Sequence, residues 1–353
     1  MQVEMIEAQE PSAAELVEVA SGIYWLRMPL PMALNHINLY MIDEGDSWTV
    51  IDTGINLPDT KAAWEQIFAT YCQDKPIGRV LVTHLHPDHV GLAGWLCDRW
   101  RCPLLMSQAE YFAIRGYTGT NRMHWQAESF YRRAGLGDDF IDFMQDRVGM
   151  KGIVSTVPGA YRRLKEGDSL TMGGRQWQII TGAGHSLEHV CLYNSDENLL
   201  IAGDQVLPRI SPNVSVLATE PEASPLHNWY ASLRALLVLP EDTFVLPAHN
   251  KPFYGLHKRC HELIDHHERQ LVVLLSECVM PKKAIELMKP LFGREIGFSE
   301  MGLALGEAMA HLHMLMDREQ LERIEREGID YYRSLECVES DPSARTHDDW
   351  VMV

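Results

Sequence analysis

Between Leu16 and Asp52 the hydrophobic residues fall into short runs, GIYWLRM, HINLYMI and SWTVID, broken by Gly, Pro or Asp-Ser turns, and this pattern predicts strands. Residues 61–71 then switch to helical spacing, and RVLVT (Arg79–Thr83) reads as a buried strand. A helix is predicted from His89 to Trp100, followed by the strand run PLLM. The strand pattern resumes in YRRLKEGDSLTMGGRQWQIIT, HVCLYN, LLIAGD and TFVLPA. Strand runs with helices between them thus occur twice, as expected of an α/β chain with two packed sheets and helices outside.

Three segments depart from this rhythm. The first 13 residues read as a loose acidic tail. Residues 108–150 are rich in aromatic, charged and Gly residues and read as a helical insertion within a domain spanning 14–255. Beyond it, Leu256–Glu277 and Leu303–Arg326 carry apolar residues at helical spacing, so 256–335 reads as a helical module and 336–353 as a tail.

Charge and cysteine content narrow the function classes. The net charge of −18 disfavours a phosphate backbone as partner, so no nucleic acid is expected. Seven scattered cysteines form no C-x-x-C pair, which points to a reducing, cytoplasmic setting rather than a disulfide framework. The acidic start MQVEMIEAQEPSAAELVEV lacks the basic region and apolar core of an export signal, and no apolar run approaches the ~20 residues a bilayer span needs, so no membrane association is expected.

The chemistry concentrates in VTHLHPDHVG. His84, His86, Asp88 and His89 crowd into six residues directly after an apolar strand. On a loop leaving a strand, residues two apart can point the same way, so two imidazoles can hold one ion. Pro87 and a helix start would turn Asp88 and His89 toward a second position. TGAGHS places His185, LLIAGDQV places Asp204 and FVLPAHN places His249 after an apolar run in the same manner. Ligand-type side chains are therefore expected together at one edge of the sheets.

The series Asp52-Thr53-Gly54, His84-x-His86-x-Asp88-His89, His185, Asp204 and His249 resembles the metallo-β-lactamase superfamily over roughly residues 14–255. The resemblance implies a four-layer αββα sandwich. It implies His84, His86 and His185 at one metal, Asp88, His89 and His249 at a second, and Asp204 bridging them. It also implies two zinc ions, with iron or manganese as alternatives, and a hydroxide held between them and oriented by Asp88 for attack on a carbonyl. Asp52 would fix a ligand imidazole from behind. Two departures from the family pattern, Ala248 and Asn250 around His249 and Glu188 after His185, bear on which substrate fits. The C-terminal module resembles the winged-helix-like extension of one branch, although the 12 Lys/Arg against 19 Asp/Glu of residues 256–353 leave no basic stripe for DNA.

Pocket candidates are His36, which the resemblance sets beside the site, and His189, four residues after His185. Tyr111, Tyr117 and Trp125 belong to the insertion, which suits either a substrate lid or a dimer interface. Ile210 and Asn213 belong to VLPRISPNVS, the stiff stretch leaving Asp204. The GDSL run at 167–170 reads as a polar turn, and His261, His266 and His267 read as a solvated helix face. His311 and His313, about 200° apart on a helix, read as surface or packing residues.

The expected function is hydrolysis of a small acyl compound, a thioester, lactone or other ester. Alternatives are a phosphodiesterase or nuclease using the same metal pair, and a non-catalytic metal-binding protein whose helical module recognises a partner. A homodimer fits the aromatic insertion.

Overall fold

The computed structural model describes residues 1–32, 34–119, 122–145, 150 and 152–335. The predicted tail at 336–353 lies outside the described residues. By contacts the chain divides into two compact units. The first comprises Met1–Thr120, Gly149–Arg209 and Leu236–Arg259; the second comprises Asn121–Val148, Ile210–Ala235 and Cys260–Val353. The 108–150 segment is therefore split, its first helix going with the sheets and the remainder with the C-terminal residues.

The strands of the first unit are β1 (Glu4–Met5), β2 (Val17–Ala20), β3 (Ile23–Pro29), β4 (His36–Asp43), β5 (Trp48–Ile51), β6 (Ile77–Leu81), β7 (Leu104–Ser107) and β8 (Arg162–Leu164). They continue with β9 (Ser169–Met172), β10 (Arg175–Gly182), β11 (His189–Asn194), β12 (Leu199–Gly203), β13 (Phe244–Pro247) and β14 (Phe253–Tyr254). Two seven-stranded sheets result, in the orders β2-β3-β4-β5-β6-β7-β8 and β1-β14-β13-β12-β11-β10-β9. Helices α1 (Pro58–Tyr71), α2 (Pro87–Val90), α3 (Ala93–Trp100) and α4 (Gln108–Gly119) complete the unit.

Alternation along β4 shows why the layers form. Tyr40 and Ile42 join Trp25, Trp177, Ile179 and Leu192 in the core between the sheets. Ile37, Leu39 and Met41 point the other way, into a second core with Trp64, Ile67 and Leu96 of α1 and α3. Both faces of this central strand are buried, and each fully buried large side chain contributes about 2–3 kcal/mol.

The N-terminal residues are not a loose tail. Glu4 and Met5 pair with Tyr254 and Phe253 as the edge of the second sheet, and the Ile6 amide donates to the Pro252 carbonyl. The acidic composition obscured a segment whose backbone, rather than its side chains, does the docking.

The second unit holds α5 (Trp125–Arg133), α6 (Asp138–Gln145), α7 (Pro225–Leu236) but for its last residue, α8 (Leu256–Glu277) from Cys260 on, β15 (Lys282–Lys283), α9 (Ala284–Phe292), α10 (Met301–Asp317), β16 (Leu321–Arg326) and β17 (Ile329–Ser334). The last three strands form a sheet in the order β15-β17-β16. The helical reading of Leu303–Arg326 is thus corrected: α10 stops at Asp317, and LERIER starts a hairpin in which Leu321 faces Ser334. Asp330 in the hairpin takes both ends of the Arg133 guanidinium, at 3.0 and 2.9 Å, which ties α5 to β17.

The reading of the C-terminal histidines is also corrected in part. His267 is buried rather than on a solvated face, while His261 is exposed, and of the two readings of His311 and His313 the structure gives packing, since both are buried. The His311 Nδ1–H donates to the Glu307 carbonyl (2.8 Å), so its Nε2 accepts from the His267 Nδ1–H (3.0 Å), and His267 Nε2 in turn accepts from the Ser211 hydroxyl (3.1 Å). Beside this chain Glu307 is fully buried and accepts from Asn213 Nδ2 at 2.8 Å. Burial pushes its carboxyl up to about 8, against the Asn213 hydrogen bond that favours the anion. The folded state therefore favours the protonated form. Its contribution is complete below the ordinary glutamate range and is lost as pH rises toward 8. Across that window this group makes unfolding about 1.4 kcal/mol easier per pH unit. Urea melts of Glu307→Gln at pH 5, 6.5 and 8 are expected to lack that part of the slope; identical pH profiles in variant and wild type would show that Glu307 does not carry it.

Candidate metal centre

Strand β6 delivers Thr83 and His84 to the sheet edge, and Pro87 then starts α2. Its fixed φ suits the first helical position, and His86 caps the turn by accepting from the His89 and Val90 amides at 3.0 and 2.9 Å. Two residues on, Gly91 is held so tightly that a Cβ would sit 2.3 Å from the Pro87 carbonyl oxygen. The tight turn is what sends His84 and His86 to one side and Asp88 and His89 to another.

His185 arrives from the turn after β10, Asp204 from the end of β12, and His249 from the end of β13. His84, His86, His185 and Asp204 bring ligand atoms within 4.8 Å of one another, and so do Asp88, His89 and His249. In the first group His84 Nε2 lies 3.0 Å from His86 Nδ1 and 3.2 Å from His185 Nε2. In the second, Asp88 Oδ2 lies 3.6 Å from His89 Nε2 and 3.5 Å from His249 Nε2. Asp204 stands between the groups: Oδ2 is 3.3 Å from His185 and 3.3 Å from His89, while Oδ1 is 3.4 Å from His249.

The imidazoles are oriented from behind. The His89 Nδ1–H donates to Asp52 Oδ2 at 2.8 Å, leaving Nε2 as a lone pair aimed at the cluster. Asp52 is itself held by the Thr83 amide and hydroxyl, both at 2.8 Å, and its backbone is left-handed at φ 59°. The His249 Nδ1–H donates to the His36 carbonyl at 3.0 Å. The Asp204 amide donates to His189 Nε2 at 3.1 Å, and the His189 ring lies 4.8 Å from that of His84. Gly203 makes room for this, since a Cβ there would come within 2.6 Å of the His189 ring.

A test of fit lies in the polar atoms left over. His89 Nε2, His249 Nε2 and Asp204 Oδ1 are buried and make no hydrogen bond within the protein. Three converging buried atoms left unsatisfied would each cost about 1–3 kcal/mol, and coordination to a cation removes that cost. Burial, then the neighbouring imidazoles, pushes His84 well below its ordinary value, and burial, then His185, lowers His86 to about 3. Burial would also lower His249, but Asp204 and Asp88 outweigh it and raise it to about 9. Asp204 is held well below the carboxylate range by His249 and His89 despite its burial. His84 and His86 are thus neutral and Asp204 ionised, the forms a divalent ion requires, whereas His249 and His89, raised by the carboxylates around them despite their burial, would release a proton to an arriving cation.

The remaining predicted site residues divide. His36 sits at the rim, its Nε2 accepting from the Asn250 amide at 3.1 Å and its ring 6.3 Å from that of His249. Burial, then Arg27, lowers His36 to about 4. Tyr111 is not a pocket residue: it is 2% exposed, stacks on Tyr161 at 3.8 Å and donates its hydroxyl to the Pro158 carbonyl. Tyr117 packs against the same core. Trp125, Ile210 and Asn213 belong to the second unit; Trp125 is 73% exposed at the start of α5, and Ile210 and Asn213 are buried. The GDSL serine, Ser169, opens β9 just after the turn at 166–167 and donates to Gln176 Oε1 at the surface.

Sequence reasoning missed the supports. Glu110, in the first turn of α4, is fully buried and accepts from the Leu85 amide at 2.9 Å and the Glu188 amide at 2.7 Å, joining the HLHPDH loop to the turn that carries His185. Glu188, flagged as a departure in the pocket, instead accepts from the Ala109 amide at the start of α4. An acidic residue shortly after a strand is the available signal, and it stands among aromatic residues that carry the stronger pattern. Glu110→Ala orphans the buried Leu85 amide and the half-buried Glu188 amide and is expected to cost about 2–4 kcal/mol by urea denaturation. A loss below 1 kcal/mol would mean that water replaces the carboxylate there.

Residues 33–249 match the family model described as metallo-beta-lactamase superfamily, and 271–335 match metallo-beta-lactamase-like, C-terminal domain. The chain belongs to the metallo-β-lactamase superfamily. It is similar to the crystal structure of a beta-lactamase domain protein from Burkholderia ambifaria, 40% identical, TM-score 0.87, covering 94% of this chain and 98% of that one. It is also similar to the probable metallo-hydrolase YqjP of Bacillus subtilis, 24% identical over 88% of this chain and 97% of that protein. A third relative, acyl-coenzyme A thioesterase MBLAC2 of Bos taurus, is 25% identical over 53% of this chain and 64% of its own length. The fold is the metallo-β-lactamase fold, with two sheets and a helical C-terminal part. Among the described residues no helix is long and apolar enough to cross a membrane.

Proposed function

We propose that the chain is a binuclear zinc hydrolase of small acyl esters, with thioesters the leading class. The observation that carries this reading is the Asp204 carboxylate, whose Oδ2 lies 3.3 Å from His185 of one ligand group and 3.3 Å from His89 of the other, while Oδ1 lies 3.4 Å from His249. His84, His86 and His185 would hold one ion, Asp88, His89 and His249 the other, and Asp204 both. When bound, such ions supply Lewis acidity, bringing water toward a pKa near 7 and polarising a carbonyl oxygen. All-imidazole and carboxylate donors without thiolate suit zinc.

The protein's own part is orientation. Asp52 and the His36 carbonyl fix two imidazole tautomers, and His189 fixes the Asp204 backbone. Asp88, partly exposed beside the buried histidines, is placed to accept a proton from the attacking water. Similarity to a protein named acyl-coenzyme A thioesterase supports the thioester class. The order helix, short strand, two helices and hairpin from α8 to β17 supports a winged-helix-like reading of the C-terminal part, with no basic stripe for nucleic acid. The test uses protein stripped with dipicolinate and assayed on butyryl-CoA, a lactone, p-nitrophenyl butyrate and bis-p-nitrophenyl phosphate, with and without Zn²⁺ restored. Zinc-dependent turnover of the acyl compounds is expected. Turnover of the phosphodiester alone would replace the acyl reading, and chelator-insensitive turnover would remove the metal from it.

A further inference from the structure

Two cavities in the first unit meet at Arg27, Asn35 and His36. One, of about 350 Å³, is walled mostly by apolar groups including Met28, Pro29, Ala62 and Ala63. The other, of about 430 Å³, carries Arg209 and Lys251 on its wall. Its wall is built from the segments that carry the candidate ligands. Arg209 lies five residues beyond Asp204, Asn250 and Lys251 directly follow His249, and His36 gives its carbonyl to the His249 ring.

The charges of this second cavity are unbalanced. Arg27 is engaged by Glu10, Asn38 Oδ1 and the Asn250 carbonyl. Lys251 donates to the Ala8 carbonyl at 3.1 Å and meets no carboxylate, and the exposed Arg209 has no carboxylate partner among the described residues. Glu7 also lies on the wall. With Arg27 and Glu10 cancelling, Arg209 and Lys251 against Glu7 leave one net positive charge, in a chain whose total is −18. A local inversion of sign, in a wall whose chain runs on from Asp204 and His249, concentrates anions there. Arg209 can also grip an oxyanion with two parallel N–H groups.

We infer that the Arg209–Lys251 cavity is a subsite for the anionic end of the substrate, a phosphate or carboxylate on the leaving group, while the apolar cavity beyond His36 takes the acyl chain. This deepens the hydrolase reading and rests on it. A neutral, compact ester would leave both compartments unused.

The test compares S-butyryl-CoA, S-butyrylglutathione and S-butyrylpantetheine, which share a thioester and differ in bearing phosphates, carboxylates or no charge on the thiol. In Arg209→Gln/Lys251→Gln the ratio of kcat/KM for a charged thioester over that for the pantetheine ester is expected to fall about tenfold, while Arg163→Gln, an exposed charge elsewhere, leaves the ratio alone. Whether the CoA or the glutathione ratio falls identifies the anion. Calorimetric titration with CoA and with glutathione runs beside the kinetics, so that a protein hydrolysing nothing still decides the subsite. Weakened binding in the double variant supports it. An unchanged ratio, or wild-type binding of neither anion at millimolar concentration, overturns it.

Discussion

Asp204→Asn is expected to lower kcat/KM on the best thioester by well over 100-fold at saturating Zn²⁺, with the fold retained. The substitution keeps shape but removes the one anion that faces both ligand groups, among His84, His89, His185 and His249. Asp52→Asn provides the scale. Its carboxylate touches His89 rather than the cluster's interior, and groups that orient a ligand from behind typically contribute 10- to 100-fold. Zinc content and rate are to be measured on both variants. Should Asp52→Asn prove the more damaging, the bridging position assigned to Asp204 would be wrong.

The second large effect is on folding. Gly94 lies in α3 with the chain at 155–156 pressed against it, and a Cβ there would stand 1.7 Å from the Thr156 carbonyl oxygen. That oxygen is main chain and cannot swing aside as a side-chain tip would. The approach is fixed further by the Ser155 amide on the Gly91 carbonyl at 2.7 Å. Gly94→Ala is therefore expected to cost about 3 kcal/mol or more, at the upper end of overpacking effects. Gly116 in α4 is the contrast: a Cβ there meets nothing within 4 Å, so alanine is expected to stabilise by about 0.5–1 kcal/mol. Equal melting temperatures for the two variants would contradict the packing described around α3.

What the sequence revealed followed from local pattern. HLHPDH could be read because its ligand residues are neighbours in the chain, and His185, Asp204 and His249 because each follows an apolar strand. Other features depend on distant partners. Glu110 serves amides 25 and 78 residues away, and nothing beside it in sequence announces them. His267 looks like part of a polar helix face until His311, 44 residues on in another helix, covers it. Glu4 and Met5 dock by backbone, which leaves no side-chain signature. LERIER continues the apolar spacing of α10 too smoothly for its turn to be seen. Tyr111 misled in the opposite sense, because an aromatic residue at a domain's edge signals a pocket and a core equally well.

The most direct measurement is zinc stoichiometry by equilibrium dialysis and elemental analysis, on the wild-type chain and on His84→Ala/His86→Ala. The account predicts two ions per wild-type chain and no more than one in the variant, which keeps Asp88, His89 and His249. Less than one ion per wild-type chain, or the same content in both proteins, would contradict it.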